Sequence, residues 1–152
     1  KAIANIGNTI YFVATDGSKV APAICYESIY GDFMSGYMRD SAQFIAVITN
    51  DGWWENTPGY RQHMNYARIL AIEFRKSIAR SANTGISCFI NQRGDVSQPT
   101  QWWVEDAIHG KVYRNMTVTF YARNGDFIGF ICAFLTCSIL LYFGFKRILH
   151  LF

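Results

Sequence analysis

Lys19-Val20-Ala21-Pro22-Ala23-Ile24-Cys25-Tyr26-Glu27 is the stretch on which the fold turns. Thr9 to Ala14 reads as a strand, Thr15-Asp16-Gly17-Ser18 as a turn, and Lys19 to Ile24 as the returning strand. After Cys25 the periodicity changes. Glu27 to Met38 places Ile29, Phe33, Tyr37 and Met38 at helical spacing, and Glu27 opens that segment with a favourable charge. Cys25 therefore stands at a strand-to-helix turn.

Downstream, the pattern repeats. Phe44-Ile45-Ala46-Val47-Ile48 is a continuous apolar run of strand length, as expected of a strand covered on both faces. It ends at Asn50-Asp51-Gly52, a strong turn signal. Thr57 and Pro58 suit the start of a helix, in which Met64, Ala67, Leu70, Ala71, Phe74 and Ile78 recur at helical spacing up to an end near Arg75. Ser77–Ser81 and Ile86–Ile90 read as short strands around Asn83-Thr84-Gly85. Gln92-Arg93-Gly94-Asp95 is a turn, and Gln98–Glu105, with Trp102 and Trp103, is a loop. Lys111–Tyr113 and Thr117–Tyr121 are further strand candidates. Alternating strands and helices followed by a run of strands predict an α/β domain, a sheet with helices packed on it.

Of the 152 residues 51% are hydrophobic and 16% charged, against about 25% charged in an average soluble domain. The excess sits in one place. Phe127 to Phe145 holds no charge, and Thr136 and Ser138 are its strongly polar side chains. Its 19 residues would span about 28 Å as a helix, close to the hydrocarbon thickness of a bilayer. A buried core helix would show a polar stripe; this segment shows none. Lys146 and Arg147 beyond it suit lipid headgroups. The charge asymmetry across its ends is too small to orient it.

The net charge of +3 is mild, and no Lys/Arg cluster forms a nucleic-acid footprint. The four cysteines make neither a disulfide framework nor a CxxC pair. Cys132 and Cys137 lie in the apolar span and Cys88 in an apolar strand. Cys25 alone is placed for chemistry, since N–H groups at a helix start favour a thiolate and can stabilise an oxyanion. A packed core thiol is the alternative at the same position.

Tyr26 could shape a pocket or merely pack. Glu27 could orient a reacting group or simply complement a helix dipole. Asn50, Trp53 and Trp54 form a polar and aromatic loop at a strand end, where ligands of open α/β sheets collect. His63, with no second histidine at metal spacing, reads as structural, and Arg80 with Asn83 and Gly85 as the support of a turn. No Ser-His-Asp arrangement, phosphate loop, zinc pattern or other cofactor signature is present. A chain that opens on Lys1 without a signal sequence is expected to begin mid-protein.

Taken in order, Ala23-Ile24-Cys25-Tyr26-Glu27, Thr49-Asn50-Asp51-Gly52-Trp53-Trp54, Gln62-His63, Arg80-Ser81-Ala82-Asn83-Thr84-Gly85-Ile86 and the Gly94 turn resemble the apolipoprotein N-acyltransferases, membrane members of the nitrilase (carbon–nitrogen hydrolase) superfamily. The resemblance implies a nitrilase-like αββα sandwich, present in part over residues 1–122. A short linker (123–126), one transmembrane helix (127–145) and a cytoplasmic tail (146–152) follow. It implies transfer of an acyl chain from a phospholipid donor, through a cysteine thioester, to the α-amine of a lipoprotein acceptor. The catalytic domain would sit on the periplasmic face of the bacterial inner membrane. Cys25 would be the nucleophile of a Glu-Lys-Cys triad whose Glu and Lys lie upstream of this chain, with Tyr26 and Glu27 supporting it. Lys1 and Lys19 do not stand in the family's lysine context, and the wording Gly52-Trp53-Trp54-Glu55 departs from its loop. A nitrilase-type amidase and a non-catalytic membrane module are the competing readings. The terminal apolar helix argues against the first, and the missing Glu and Lys favour the second for this chain taken alone.

Overall fold

The computed structural model describes residues 2–6 and 9–149, with side-chain surroundings from 11 to 147. Seven strands form one mixed sheet in chain order: β1 (Ala2–Ile6), β2 (Thr9–Val13), β3 (Lys19–Ile24), β4 (Phe44–Thr49), β5 (Ile78–Ala82), β6 (Cys88–Ile90) and β7 (Val96–Ser97). β3, β4 and β5 run parallel, and their neighbours on either side pair antiparallel. Parallel neighbours need a crossover. Helix α1 (Gly31–Arg39) supplies it between β3 and β4, and α2 (Gly59–Phe74) between β4 and β5.

The side-chain alternation of the strands shows where the core lies. Ala21 and Ala23 of β3, Ile45 and Val47 of β4, and Ile78 of β5 are fully buried, packed with Met34 and Met38 of α1 and Ala67, Leu70, Ala71 and Phe74 of α2. The small alanines of β3 let the helices approach closely. The opposite face is partly open, with residues 106–110 against its β5–β6 side. Ile24 is 52% and Ile48 51% exposed, so within this chain β4 is covered on one face and not on both. The described residues hold one sheet and one helical layer, half of an αββα sandwich.

Several elements differ from the sequence reading. The helix expected over Glu27–Met38 is broken into a 3-10 turn, Cys25–Ile29, and α1, because Tyr30 is extended (φ −92°, ψ 92°). The strands expected at Lys111–Tyr113 and Thr117–Tyr121 are absent. Residues 101–119 carry no regular structure, and Thr119 instead caps a short helix, α3 (Phe120–Asn124), by accepting from Ala122 N at 3.2 Å. Lys76 explains why no strand is needed there. Its ammonium donates to the carbonyls of Asn115 and of Thr117, the latter at 3.0 Å, and Asn115 N donates to Gln43 O at 3.0 Å. These backbone groups of Asn115 and Thr117 are met by a side chain and a loop rather than by a ladder. The strands β1 and β7 went unread.

Helix α4 (Phe127–Leu149) follows α3 after Gly125 and Asp126. Asp126 caps it, accepting from Gly129 N at 3.0 Å. Thr136 and Ser138 satisfy their hydroxyls on the carbonyls four residues earlier, both at 2.8 Å, as helical Ser and Thr can. By length and composition Phe127–Arg147 can cross a bilayer, and none of that stretch is buried against the rest of the described residues. Residues 150–152 of the expected tail lie outside the described residues.

Lys76 is fully buried, and burial lowers its pKa from 10.5 to about 8. Between those values the unfolded chain holds a proton that the folded chain has lost, so stability rises with pH across that window. Relative to Lys76→Met, which cannot titrate there, the thermal midpoint of the wild-type protein in detergent is expected to climb as pH goes from about 8 to 10.5. A difference that stays constant over the window would contradict this.

Candidate active site

The register aligns Ile24 with Ile48 and Ile48 with Ser81. The carboxyl ends of β3, β4 and β5 therefore lie side by side, and the residues after each strand share one edge. This is where parallel sheets bind ligands.

Cys25 is the first residue beyond β3, and its φ is +52°. A left-handed conformation costs a non-glycine residue about 1–3 kcal/mol and persists only where neighbours enforce it. Here they do. Glu27 Oε2 accepts from Ile24 N at 2.7 Å, on one side of the cysteine. Ser28 Oγ donates to the Cys25 carbonyl at 2.7 Å, on the other. Cys25 is half-buried at this sharp turn.

Tyr26 is 42% exposed; its ring stacks on His63 (centroids 5.2 Å, planes 19° apart) and tilts against Trp54 at 5.9 Å. Asn50 accepts from Gly52 N at 3.1 Å and so shapes the turn Asp51–Trp54. Trp54 is packed against Gly59, where a Cβ would meet its ring at 2.5 Å, while Trp53 is 84% exposed. The expected cluster of Cys25, Tyr26, Glu27 and Trp54 is brought together by these contacts. Trp53 and Asn50 stand at its rim.

Sequence reasoning missed what lies behind it. Asp51 is fully buried, and His63 and Arg80 are each 2% exposed. Arg80 Nη2 donates to Asp51 Oδ2 at 2.7 Å, His63 Nδ1 to Asp51 Oδ1 at 2.9 Å, and Thr49 Oγ1 to the same oxygen at 3.1 Å. His63 Nε2 lies 3.3 Å from the Cys25 carbonyl. Burial pushes the Asp51 carboxyl up, but the His63 hydrogen bond, the charges of Arg80 and His63 and the Thr49 hydroxyl outweigh it, leaving it below its ordinary value. Gly85 leaves room for this carboxylate, since a Cβ there would fall 2.1 Å from Asp51 Oδ2. The available signal was the trio of ionisable residues in one family-like set of motifs. Nothing in their spacing, 12 and 17 residues apart, links them.

The two cysteines of the domain differ sharply. Cys88 is fully buried and its thiol is pushed up to about 11 by that burial, despite the nearby Arg80. It is a core residue. No group of His, Cys, Asp and Glu among the described residues is arranged to hold a metal.

Comparison with known proteins shows the family. The family model described as carbon-nitrogen hydrolase matches residues 3–121. The chain belongs to the carbon–nitrogen hydrolase family. Within that family it is similar to proteins named apolipoprotein N-acyltransferase. The one from Chlorobaculum tepidum is 36% identical over 125 residues, 81% of this chain and 24% of that protein. Those from Wigglesworthia glossinidia brevipalpis (33% identical, 74% of this chain and 23% of that protein) and Rhizobium meliloti (44%, 51% and 14%) are similar too. The chain thus spans about a quarter or less of the length of these relatives. Among solved structures, an amidase from Nesterenkonia sp. AN1 bearing an acrylamide adduct at its active-site cysteine aligns with a TM-score of 0.46 and 13% identity, over 82% of this chain and 45% of that one.

For this carbon–nitrogen hydrolase domain, alkylation of the folded protein near pH 8 is expected to modify Cys25 and spare Cys88, with mass spectrometry of the two peptides as the readout. Equal labelling would mean that the burial of Cys88 is wrong. Arg80→Met strips Asp51 of its main counter-charge and is expected to cost about 3–5 kcal/mol of stability, measured by denaturant titration. A loss under about 1 kcal/mol would show the pair to be dispensable.

Proposed function

We propose that this chain carries the nucleophile of an apolipoprotein N-acyltransferase, with Cys25 as the acyl carrier. The observation that carries the reading is Cys25 itself, a half-buried cysteine held at φ +52° beyond β3, in a chain similar over 81% of its length to a protein of that name. The Cys25 thiolate attacks the ester carbonyl of a phospholipid, the tetrahedral intermediate collapses to a thioester, and the lysophospholipid leaves as its alcohol after taking a proton. The neutral α-amine of a diacylated lipoprotein then attacks the thioester, forms the amide and returns the thiol, with a base taking the amine's proton.

Each candidate side chain has a place in this scheme. Glu27 is tied to Ile24 N, so it supports the turn of the nucleophile rather than acting as a free base. Tyr26 supports the cysteine from the adjacent position through its stack on His63. Asn50, Trp53 and Trp54 form the binding loop, where an indole exposed as far as Trp53 suits an acyl chain. The base and the oxyanion-binding lysine of a Glu-Lys-Cys triad come from residues outside this chain. Two lysines within it are committed elsewhere: Lys76 to the carbonyls of Asn115 and Thr117, and Lys19 to Asp40 O and the Tyr11 ring. Residues 1–122 act as part of the catalytic domain on the periplasmic face of the inner membrane. Residues 123–126 link it to a span over 127–145, and the tail from 146 lies in the cytoplasm. A hydrolytic amidase has no use for such a span, whereas a transferase with a lipid donor and a lipidated acceptor works at the bilayer.

In the complete membrane protein, Cys25→Ser is expected to lower lipoprotein N-acylation by at least about 10³-fold while leaving membrane localisation and thermal midpoint unchanged. The acylation state of a lipoprotein's N-terminal peptide, read by mass spectrometry, gives the answer. Acylation retained in that variant sinks the mechanism.

A further inference from the structure

Three ionisable side chains from three parts of the chain lie in a buried line behind Cys25, and acyl transfer as described gives them no task. Burying charge costs several kcal/mol per ion unless every partner is hydrogen-bonded. The line is well satisfied at the Asp51 carboxylate, and it ends at the nucleophile. His63 Nε2 faces the Cys25 carbonyl oxygen at 3.3 Å and Ser28 Oγ at 3.4 Å. The Ser28 hydroxyl hydrogen is directed to that same carbonyl at 2.7 Å. A carbonyl oxygen only accepts, and a hydroxyl whose hydrogen is committed offers only lone pairs. Nε2 therefore meets both as a donor, while Nδ1 donates to Asp51 at 2.9 Å. The Tyr26 ring stacked at 5.2 Å is a further surface that favours a cation.

We propose that His63, held by Asp51 and Arg80, is a positioning residue for Cys25. Its Nε2–H anchors the Cys25 carbonyl and helps keep that residue in its left-handed conformation. The positive charge it brings to the Cys25 peptide favours the thiolate. Asp51 orients the ring, and Arg80 orients Asp51. The other titratable groups near this line are Glu27 and Tyr26 on the turn and Cys88 on β6 beside Arg80. The inference rests on Cys25 being the nucleophile.

The test is the rate of Cys25 alkylation by iodoacetamide in the complete membrane protein, followed from about pH 5 to about pH 10 by mass spectrometry of the Cys25 peptide. His63→Gln keeps a side-chain N–H without the charge. It is expected to raise the midpoint of reactivity by about one pH unit and slow the neutral-pH rate about tenfold. A residue that merely supports the fold would lower the thermal midpoint and leave the reactivity midpoint in place, and that result overturns the inference. Should the variant not fold, the near-isosteric Asp51→Asn, which removes the carboxylate that holds the His63 ring, decides: a reactivity midpoint left in place there overturns the proposal. A Cys25 no more reactive than free cysteine defeats the nucleophile reading itself. A reactive Cys25 indifferent to His63 defeats this inference alone.

Discussion

A carboxylate with no exposure to water, Asp51, is the constraint around which the functional end of the domain is arranged. Such a group is tolerated only if its lone pairs are filled, because desolvation of a free carboxylate costs far more than the marginal stability of a domain. Its partners come from Thr49, His63 and Arg80, which sit on β4, α2 and β5. Satisfying one carboxylate therefore ties the ends of two parallel strands to the helix that connects them. The consequences reach outward. Gly85 must lack a Cβ, and His63 is delivered to the carbonyl of Cys25.

The strained cysteine and the buried line are complementary. A non-glycine residue at φ +52° springs back unless it is held. Glu27 fixes the amide of the preceding residue and Ser28 and His63 the carbonyl of the cysteine. In front of this support Trp53 stands free in solvent and Tyr26 half so. Rigidity behind Cys25 and openness in front of it suit the two-step transfer proposed above.

At the other end of the strands the same economy appears in a different form. Residues 101–119 lack regular structure, yet the segment is pinned by the buried Lys76 ammonium and leads through α3 to the apolar helix. α3 packs on α1 and α2, so the helix that can cross a bilayer leaves from the helical layer of the domain.

What the sequence determined by itself was whatever rests on local pattern. β3 was legible from Lys19 to Ile24, β4 from its apolar run, α2 from its periodicity and α4 from its lack of charge. Cys25 was legible as a residue at a strand end, and its rank among the cysteines came from the ordered motifs around it. Non-local energetics decided the rest. The break at Tyr30 follows from hydrogen bonds that close a short turn around the cysteine, and periodicity is blind to those. The segment 111–121 has the composition of strand but no strand to pair with, since Lys76 meets its carbonyls. His63 and Arg80 looked bland because a histidine or an arginine is ordinary until a buried carboxylate lies between them. Only the folding of β4, α2 and β5 onto one edge puts Asp51 there, and burial is what turns three ordinary side chains into a support for the cysteine.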